Sequence, residues 1–142
     1  MDGLEKAKDI LEKTNCSVVI ICVGDTYTSD KKGIMPLIEF ISCGTDFTGA
    51  HIADKIVGKA AAMLFSIMNI GEVYGAVMSR SAVEFLKSRN IRYSYGTLCD
   101  SIINRKGDGI CPMEQTVADI DDEQQAYCAL KNKIKQMQNQ NK

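Results

Sequence analysis

Two stretches of the 142-residue sequence hold side chains that could do chemistry. The first contains Asp54, Lys55 and Lys59, a carboxylate with two cations close behind it. The second contains a thiol, Cys111, and a carboxylate, Glu114, one helical turn apart in sequence. Carboxylates serve as general acids and bases, and thiolates serve as nucleophiles. We therefore name Asp54, Cys111 and Glu114 as the candidate catalytic residues.

The first stretch is predicted to begin a central helix. Apolar residues recur at three- and four-residue spacing after Asp54, which favours a helix that runs to about Asn69. Asp54 is then the N-cap, and Lys55 and Lys59 lie on one side of the helix. Two lysines oppose the helix dipole at that end, so a bound anion would explain them. A core helix with two solvated lysines explains them equally well.

A second predicted helix start adds hydroxyl groups and a third cation. Ser79, Arg80 and Ser81 precede it, and we expect them to meet Lys55 and Lys59 at the carboxyl ends of neighbouring strands. These five residues are the predicted binding residues, for a phosphate or a carboxylate. Helix capping is the simpler explanation of the two serines, and a solvated surface charge explains Arg80 about as well.

The thiol of Cys111 is interpreted as the most reactive one, because it lies in a loop between Gly109 and Pro112. A nearby lysine or arginine would favour its thiolate form. The competing interpretations are a buried small hydrophobic residue for Cys111 and a structural cap for Glu114. We predict that Asp54 and Cys111 face one cleft.

The cysteines are too dispersed to indicate a metal site. No two of them form a Cys-x-x-Cys pair, and the sequence has a single histidine, His51, which is interpreted as a loop residue rather than a base. We therefore predict free thiols in a reducing cytoplasm, with no metal and no cofactor. The six cysteines are Cys16, Cys22, Cys43, Cys99, Cys111 and Cys128.

Composition indicates one soluble domain, spanning residues 1–142. The sequence is 45% hydrophobic and 25% charged, with a formal net charge of −1, so neither duplex nucleic acid nor an anionic membrane is indicated as a partner. No apolar run approaches the roughly 18 residues that span a bilayer, and no signal-peptide hydrophobic region is present. The predicted partner is an anionic or nucleotide-like small molecule, and a homodimer is left open.

The remaining pattern predicts how these residues are positioned. Helices and strands alternate, which favours parallel strands joined by right-handed crossovers after an antiparallel N-terminal hairpin. The predicted fold is a three-layer α/β/α sandwich with a mixed sheet. Besides the central helix, predicted helices cover 2–14, 34–41 and 82–89, and a last one starts at Asp121. Predicted strands cover 16–23, 26–29, 72–78 and 91–95. Residues 98–103 are predicted as either a short helix or an extended segment, and 136–142 as a frayed tail.

Three segments together give a family resemblance. The segments ADKIVGKAAA, SYG and INRKGDGICPME resemble a family of small prokaryotic proteins of unknown function with a cytidine deaminase-like fold. The resemblance covers about residues 10–135 and implies the fold rather than an activity.

The resemblance also bears on zinc chemistry. Zinc deaminases resemble one another in a His/Cys-x-Glu at the start of the second core helix and a Pro-Cys-x-x-Cys at the start of the third. We place His51–Lys55 at the first position and Met78–Ala82 at the second, where both cysteines are missing. The resemblance therefore implies no conventional zinc deamination.

Two functions of different classes follow. The first is a zinc-independent enzyme, or a degenerate one, that acts on a nucleotide-like or other anionic small molecule, with Asp54 and Cys111 as its chemical groups. The alternative is a non-catalytic ligand-sensing or protein-interaction domain that keeps the pocket of the fold.

Overall fold

The computed structural model describes residues 2–140, which form a five-stranded sheet flanked by helices. The helices are α1 (Gly3–Lys13), α2 (Met35–Ser42), α3 (Lys59–Ile67), α4 (Arg80–Ser88), α5 (Pro112–Val117) and α6 (Glu123–Gln140). The strands are β1 (Val18–Cys22), β2 (Asp25–Ser29), β3 (His51–Val57), β4 (Glu72–Ser79) and β5 (Arg92–Cys99).

The sheet is mixed, with strand order β2-β1-β3-β4-β5. β1 pairs antiparallel with β2 and β3, whereas β3, β4 and β5 are parallel. Helix α1 packs on one face, where Ala7 and Leu11 join Val19, Ile21 and Ala53 in a small core. Helices α2 to α6 contribute to the larger core on the other face. The predicted three-layer α/β fold with an N-terminal hairpin is confirmed.

The hairpin turn lies one residue earlier than residues 24–25, which separate the two predicted strands of the hairpin. Its two central residues are Val23 and Gly24, with φ angles of 49° and 83°. Positive φ at both positions is what a two-residue hairpin with the right-handed strand twist requires. Glycine adopts it freely, but a β-branched valine does so at a cost in free energy.

The predicted central helix is wrong in its first part. Residues His51–Val57 form the middle strand β3, paired on both sides, and helix α3 begins only at Lys59. Asp54 is therefore not an N-cap. Lys55 is exposed on the strand, while Lys59 is the first residue of the helix, so the two lysines do not share a helical face.

The apolar residues of β3 do not alternate throughout the strand. Ile52 and Val57 both enter the larger core although they are five positions apart, so the alternation shifts between them. Their partners in β4, Val73 and Met78, show the same shift. Between them, the backbone N–H of Ile56 donates to Oδ1 of Asp54, at 3.3 Å.

The C-terminal third differs most from the prediction. β5 runs on to Cys99, the segment after it turns back through one bridge between Ile103 and Ile110, and α5 was not predicted. Helix α6 continues to Gln140, through the first part of the tail expected to fray, and residues 141 and 142 lie outside the described residues. None of the helices described is long and apolar enough to cross a membrane.

Candidate functional site

A cleft of about 420 Å³ opens where α3, α4 and α5 meet the 101–110 segment. Its apolar wall includes Phe85, Ile102 and Ile110. Its polar wall consists of four charged and three hydroxyl-bearing residues: Lys59, Glu84, Glu114, Asp121, Ser81, Ser88 and Ser101. Three of the predicted site residues, Lys59, Ser81 and Glu114, are thus brought together.

The carboxylate of Glu114 closes the N-terminus of α3. The backbone N–H of Lys59 donates to its Oε1 and that of Ala60 to its Oε2, each at 2.8 Å. The N-cap residue of α3, Gly58, has no side chain that could accept these hydrogen bonds. An anion does sit on this helix start, as the two lysines suggested, but it is a carboxylate of the protein itself.

The same contact explains the glycine at the N-cap. A Cβ atom built on Gly58 would overlap the carboxylate of Glu114. Any larger residue at position 58 must therefore displace Glu114 from the helix amides. The glycine and the glutamate form one unit, although they lie in separate segments of the sequence.

The side chain of Lys59 is directed toward the end of α5. Its Nζ donates to the carbonyl oxygen of Ala118 at 3.2 Å and lies 4.0 Å from Oδ1 of Asp121. Only 15% of this side chain is exposed. Its charge is thus already engaged within the protein.

Two carboxyl groups have pKa values above their ordinary range. Burial raises the pKa of Glu114, and the amides of Ala60 and Lys59 and the charge of Lys59 only partly offset this. Burial raises the pKa of Asp54 to about 7, against weaker lowering by the amides of Ile56 and Lys55. Raised carboxyl pKa values are common at functional sites, but buried structural carboxyls show them too.

Asp54 is placed in mid-strand, outside the cleft. It lies between Val18 of β1 and Gly75 of β4 and is 7% exposed. Cys111 is the N-cap of α5, with its amide donating to the carbonyl oxygen of Ile102. The walls of the cleft contain neither residue. The predicted pairing of Asp54 with Cys111 in one cleft thus gains no support from the cleft that forms.

The residues at the start of α4 divide into three roles. Ser79 is fully buried and its Oγ accepts from the N–H of Ala82 at 3.2 Å, so it is the N-cap. Arg80 is exposed and donates to Oδ1 of Asp100 at 2.8 Å. Ser81 contributes its hydroxyl to the cleft wall.

The sequence prediction missed Glu84 and Ser88, which line the cleft from α4. A signal was present, because Ser81, Glu84, Phe85 and Ser88 repeat at helical spacing on one face. From the sequence alone, this face is interpreted as solvent-exposed. In the structure, α5 and the 101–110 segment lie opposite it. Asp121, in the linker before α6, carried no comparable signal.

A separate ion pair secures the edge of this region. Arg89 makes two hydrogen bonds of 2.8 Å to the carboxylate of Glu123, which also accepts from the hydroxyl of Ser66. The hydrogen bond from Arg89 lowers the pKa of Glu123 to about 2. The pair joins the end of α4 to the start of α6 and so fixes one side of the cleft.

The single histidine lies away from the cleft. His51 begins β3 and its Nδ1 is 3.1 Å from Oε1 of Glu72. All six cysteines are free. Within residues 2–140, no group of three or more His, Cys, Asp or Glu side chains is placed to hold a metal ion.

Comparison with known proteins places the chain in a family. Residues 6–134 match the family described as "TM1506: Domain of unknown function (DUF1893)". The chain belongs to the DUF1893 family. A solved DUF1893 family protein from Thermotoga maritima superposes with a TM-score of 0.85 at 26% identity, covering 92% of this chain and 89% of that one. No curated protein matches the sequence.

A second structural similarity is weak. A diaminohydroxyphosphoribosylaminopyrimidine deaminase/5-amino-6-(5-phosphoribosylamino)uracil reductase from Thermotoga maritima aligns with a TM-score of 0.42 at 15% identity. The alignment covers 67% of this chain and 35% of that protein. At this level it supports no argument about activity.

The two segments compared with the zinc motifs differ in their structural setting. Residues His51–Lys55 lie in β3 and not at the start of a helix, whereas Met78–Ala82 spans the start of α4. The second segment contains no cysteine.

Proposed function

We propose that this DUF1893 protein binds a small molecule in the cleft between α3, α4 and α5. The volume of the cleft lies within the usual range of small-molecule sites, about 300–1,000 Å³. Hydroxyl and carboxyl groups converge there on an apolar wall, which is the usual composition of such a site. A nucleoside-sized molecule with several hydrogen-bonding groups fits this description.

The charge of the cleft favours a neutral or cationic ligand. Glu84, Glu114 and Asp121 contribute three carboxyl groups against the single cation of Lys59. The observation that carries the proposal is that Glu114 already occupies the amides of α3, the position where an anionic ligand would otherwise bind. A phosphate would have to displace this carboxylate. The anionic or nucleotide-like ligand expected from the sequence is thus the competing proposal.

A binding test can separate the two ligand classes by comparing molecules that differ only in charge. Nucleosides, their 5′-monophosphates and simple diamines would be titrated into the protein by calorimetry. We expect the nucleoside or amine to bind about tenfold or more tightly than the matched monophosphate, since each 1.4 kcal/mol changes affinity tenfold. Tighter binding of the monophosphate would establish the anionic ligand instead.

Matched glutamate variants locate the binding site. Glu84→Gln removes one carboxylate from the cleft wall and should weaken a cationic ligand several-fold. Glu12→Gln removes an exposed carboxylate from α1, on the other side of the sheet, and should leave binding unchanged. Equal losses in both variants would mean diffuse electrostatics and no specific site.

A catalytic function is the second candidate, because one carboxyl in the cleft has a raised pKa. Burial raises the pKa of Glu114, so its carboxyl could exchange a proton with a bound ligand, as a general acid–base group does. Ligands found by calorimetry would be incubated with the wild type and with Glu114→Gln and analysed by mass spectrometry. Turnover by the wild type alone, with the variant folded and still binding, would establish an enzyme. Binding without turnover would establish the non-catalytic ligand-sensing domain.

A further inference from the structure

The two edges of the sheet differ in how they are protected. β2 has five residues, DTYTS, whereas β5 has eight, RYSYGTLC. Among the residues that the structure describes, no strand pairs with the outer side of β5. Long edge strands are normally blunted by proline, lysine or a covering element, because their free amides and carbonyls pair with other chains.

β5 has none of the usual protecting side chains. It contains no proline and no lysine, and its one charged residue, Arg92, stands at its start. Its centre, from Ser94 to Thr97, is exposed, including 41% of Tyr95. This edge is therefore open to strand addition.

We propose that a second copy of the chain adds to this edge, β5 against β5 in antiparallel orientation, to form a ten-stranded sheet. Directly opposed residues of two antiparallel strands have their side chains on the same face of the sheet. A two-fold axis between two copies of β5 must therefore lie midway between the two copies of one residue, which we call the residue at the axis. The two residues at the middle of β5 are Tyr95 and Gly96.

Charge selects between these two registers. With the axis at Gly96, Arg92 lies opposite Asp100 of the partner subunit, and symmetry repeats the pair at the other end. With the axis at Tyr95, Arg92 lies opposite Leu98 of the partner subunit and gains no charge partner. Both side chains are largely exposed, at 73% for Arg92 and 90% for Asp100. Each already has a partner within its own chain, since Arg92 lies 4.0 Å from the carboxylate of Glu72 and Asp100 accepts one hydrogen bond from Arg80. The self-complementary charges favour a copy of the same chain over an unrelated partner.

The first test compares one substitution on the two edges. Thr97→Lys places a charge on β5, and Thr28→Lys places the same charge on an exposed threonine of β2. Molar mass would be measured by light scattering and sedimentation over a concentration series. We expect a wild-type dimer of twice 15.6 kDa that Thr28→Lys keeps and Thr97→Lys dissociates. A monomeric wild type, or a dimer that Thr97→Lys leaves intact, would overturn the proposal.

A charge exchange tests the register. Arg92→Asp and Asp100→Arg each oppose like charges at both ends of the pair, and each should weaken the dimer about tenfold or more. The double variant restores two opposite-charge pairs and should recover the wild-type dissociation constant. Asp100→Arg also loses the contact with Arg80, so recovery in the double variant is the deciding result. A double variant as weak as the single ones would exclude this register.

Discussion

The helices that follow the parallel strands β3 and β4 have their first backbone amides capped in different ways. At the β4–α4 junction the N-cap is local, since Ser79 accepts from the amide of Ala82 three residues on. At the β3–α3 junction the N-cap is Gly58, and the helix amides instead bond Glu114 of α5. The strands end side by side, with Val57 in register with Met78.

The difference shows which junction is coupled to the cleft. A local cap satisfies its helix whatever the rest of the chain does. The remote cap couples the start of α3 to the position of α5, and its carboxylate forms part of the cleft wall. Anything that moves Glu114 therefore also exposes the amides of Lys59 and Ala60.

The largest expected losses of stability come from substitutions that break the contact between Gly58 and Glu114. Glu114→Ala removes two hydrogen bonds to a charged acceptor and should lower the free energy of unfolding by about 3 kcal/mol. Gly58→Ala should cost a similar amount, about 2–3 kcal/mol, because its Cβ displaces the carboxylate. Urea denaturation of the purified variants measures both losses.

The double variant shows whether the two losses have one cause. With Glu114 replaced by alanine, the added Cβ at position 58 meets no carboxylate, so Gly58→Ala should then be nearly neutral. The coupling free energy in the cycle should be about 2 kcal/mol. Additive losses would show that the glycine is required for another reason.

The next expected effect is a pH dependence of stability caused by Asp54 in β3, the strand that leads into α3. Burial raises the pKa of Asp54 to about 7 from an ordinary 3.8. Between these two pH values, the folded state holds a proton on Asp54 that the unfolded state has lost. Stability should therefore fall as pH rises through this window. Asp54→Asn keeps an oxygen acceptor for the amide of Ile56 and should be more stable than the wild type at pH 8, by about 2–3 kcal/mol.

The pH series carries its own control. Near pH 4 the carboxyl of folded Asp54 is protonated, so Asp54→Asn and the wild type should have similar unfolding free energies. A difference that stays constant from pH 4 to pH 8 would show that ionisation of Asp54 does not contribute.

The two junctions also show how far the sequence could predict the structure. Ser79 was identified as a possible helix cap because the cap and the capped amide are neighbours in sequence. Glu114 was named as a site residue, but no local pattern could connect it with Lys59 across the intervening chain. Local signals therefore predicted four of the five strands, the hairpin and most helices, and long-range contacts determined the middle strand and the cleft.

The error at β3 has the same origin. The apolar residues that follow Asp54 fit helical spacing as well as they fit a strand covered on both faces. The segment forms a strand because it pairs with β1 on one side and with β4 on the other. The shift between Ile52 and Val57 also removed the strict alternation that would have indicated a strand.

The local cap should have a smaller effect than the remote one. Ser79→Ala leaves the buried amide of Ala82 without its acceptor and should cost about 1 kcal/mol. Ser42→Ala is the matched control, because its hydroxyl bonds back to the carbonyl of Glu39 in the last turn of α2. We expect that control to be nearly neutral. A loss for Ser79→Ala as large as that for Glu114→Ala would contradict the contrast between the junctions.

The smallest expected effects distinguish the two lysines that precede and begin α3. Lys59→Ala loses the hydrogen bond to Ala118 and the packing of a mostly buried side chain, which should cost about 1 kcal/mol. Lys55→Ala removes an exposed side chain from β3 and should change the free energy of unfolding by less than about 0.5 kcal/mol. Urea denaturation at low and high salt measures both. Equal, salt-dependent losses would mean that the two lysines act together on one surface, as the sequence first suggested, and that the remote cap does not set their roles.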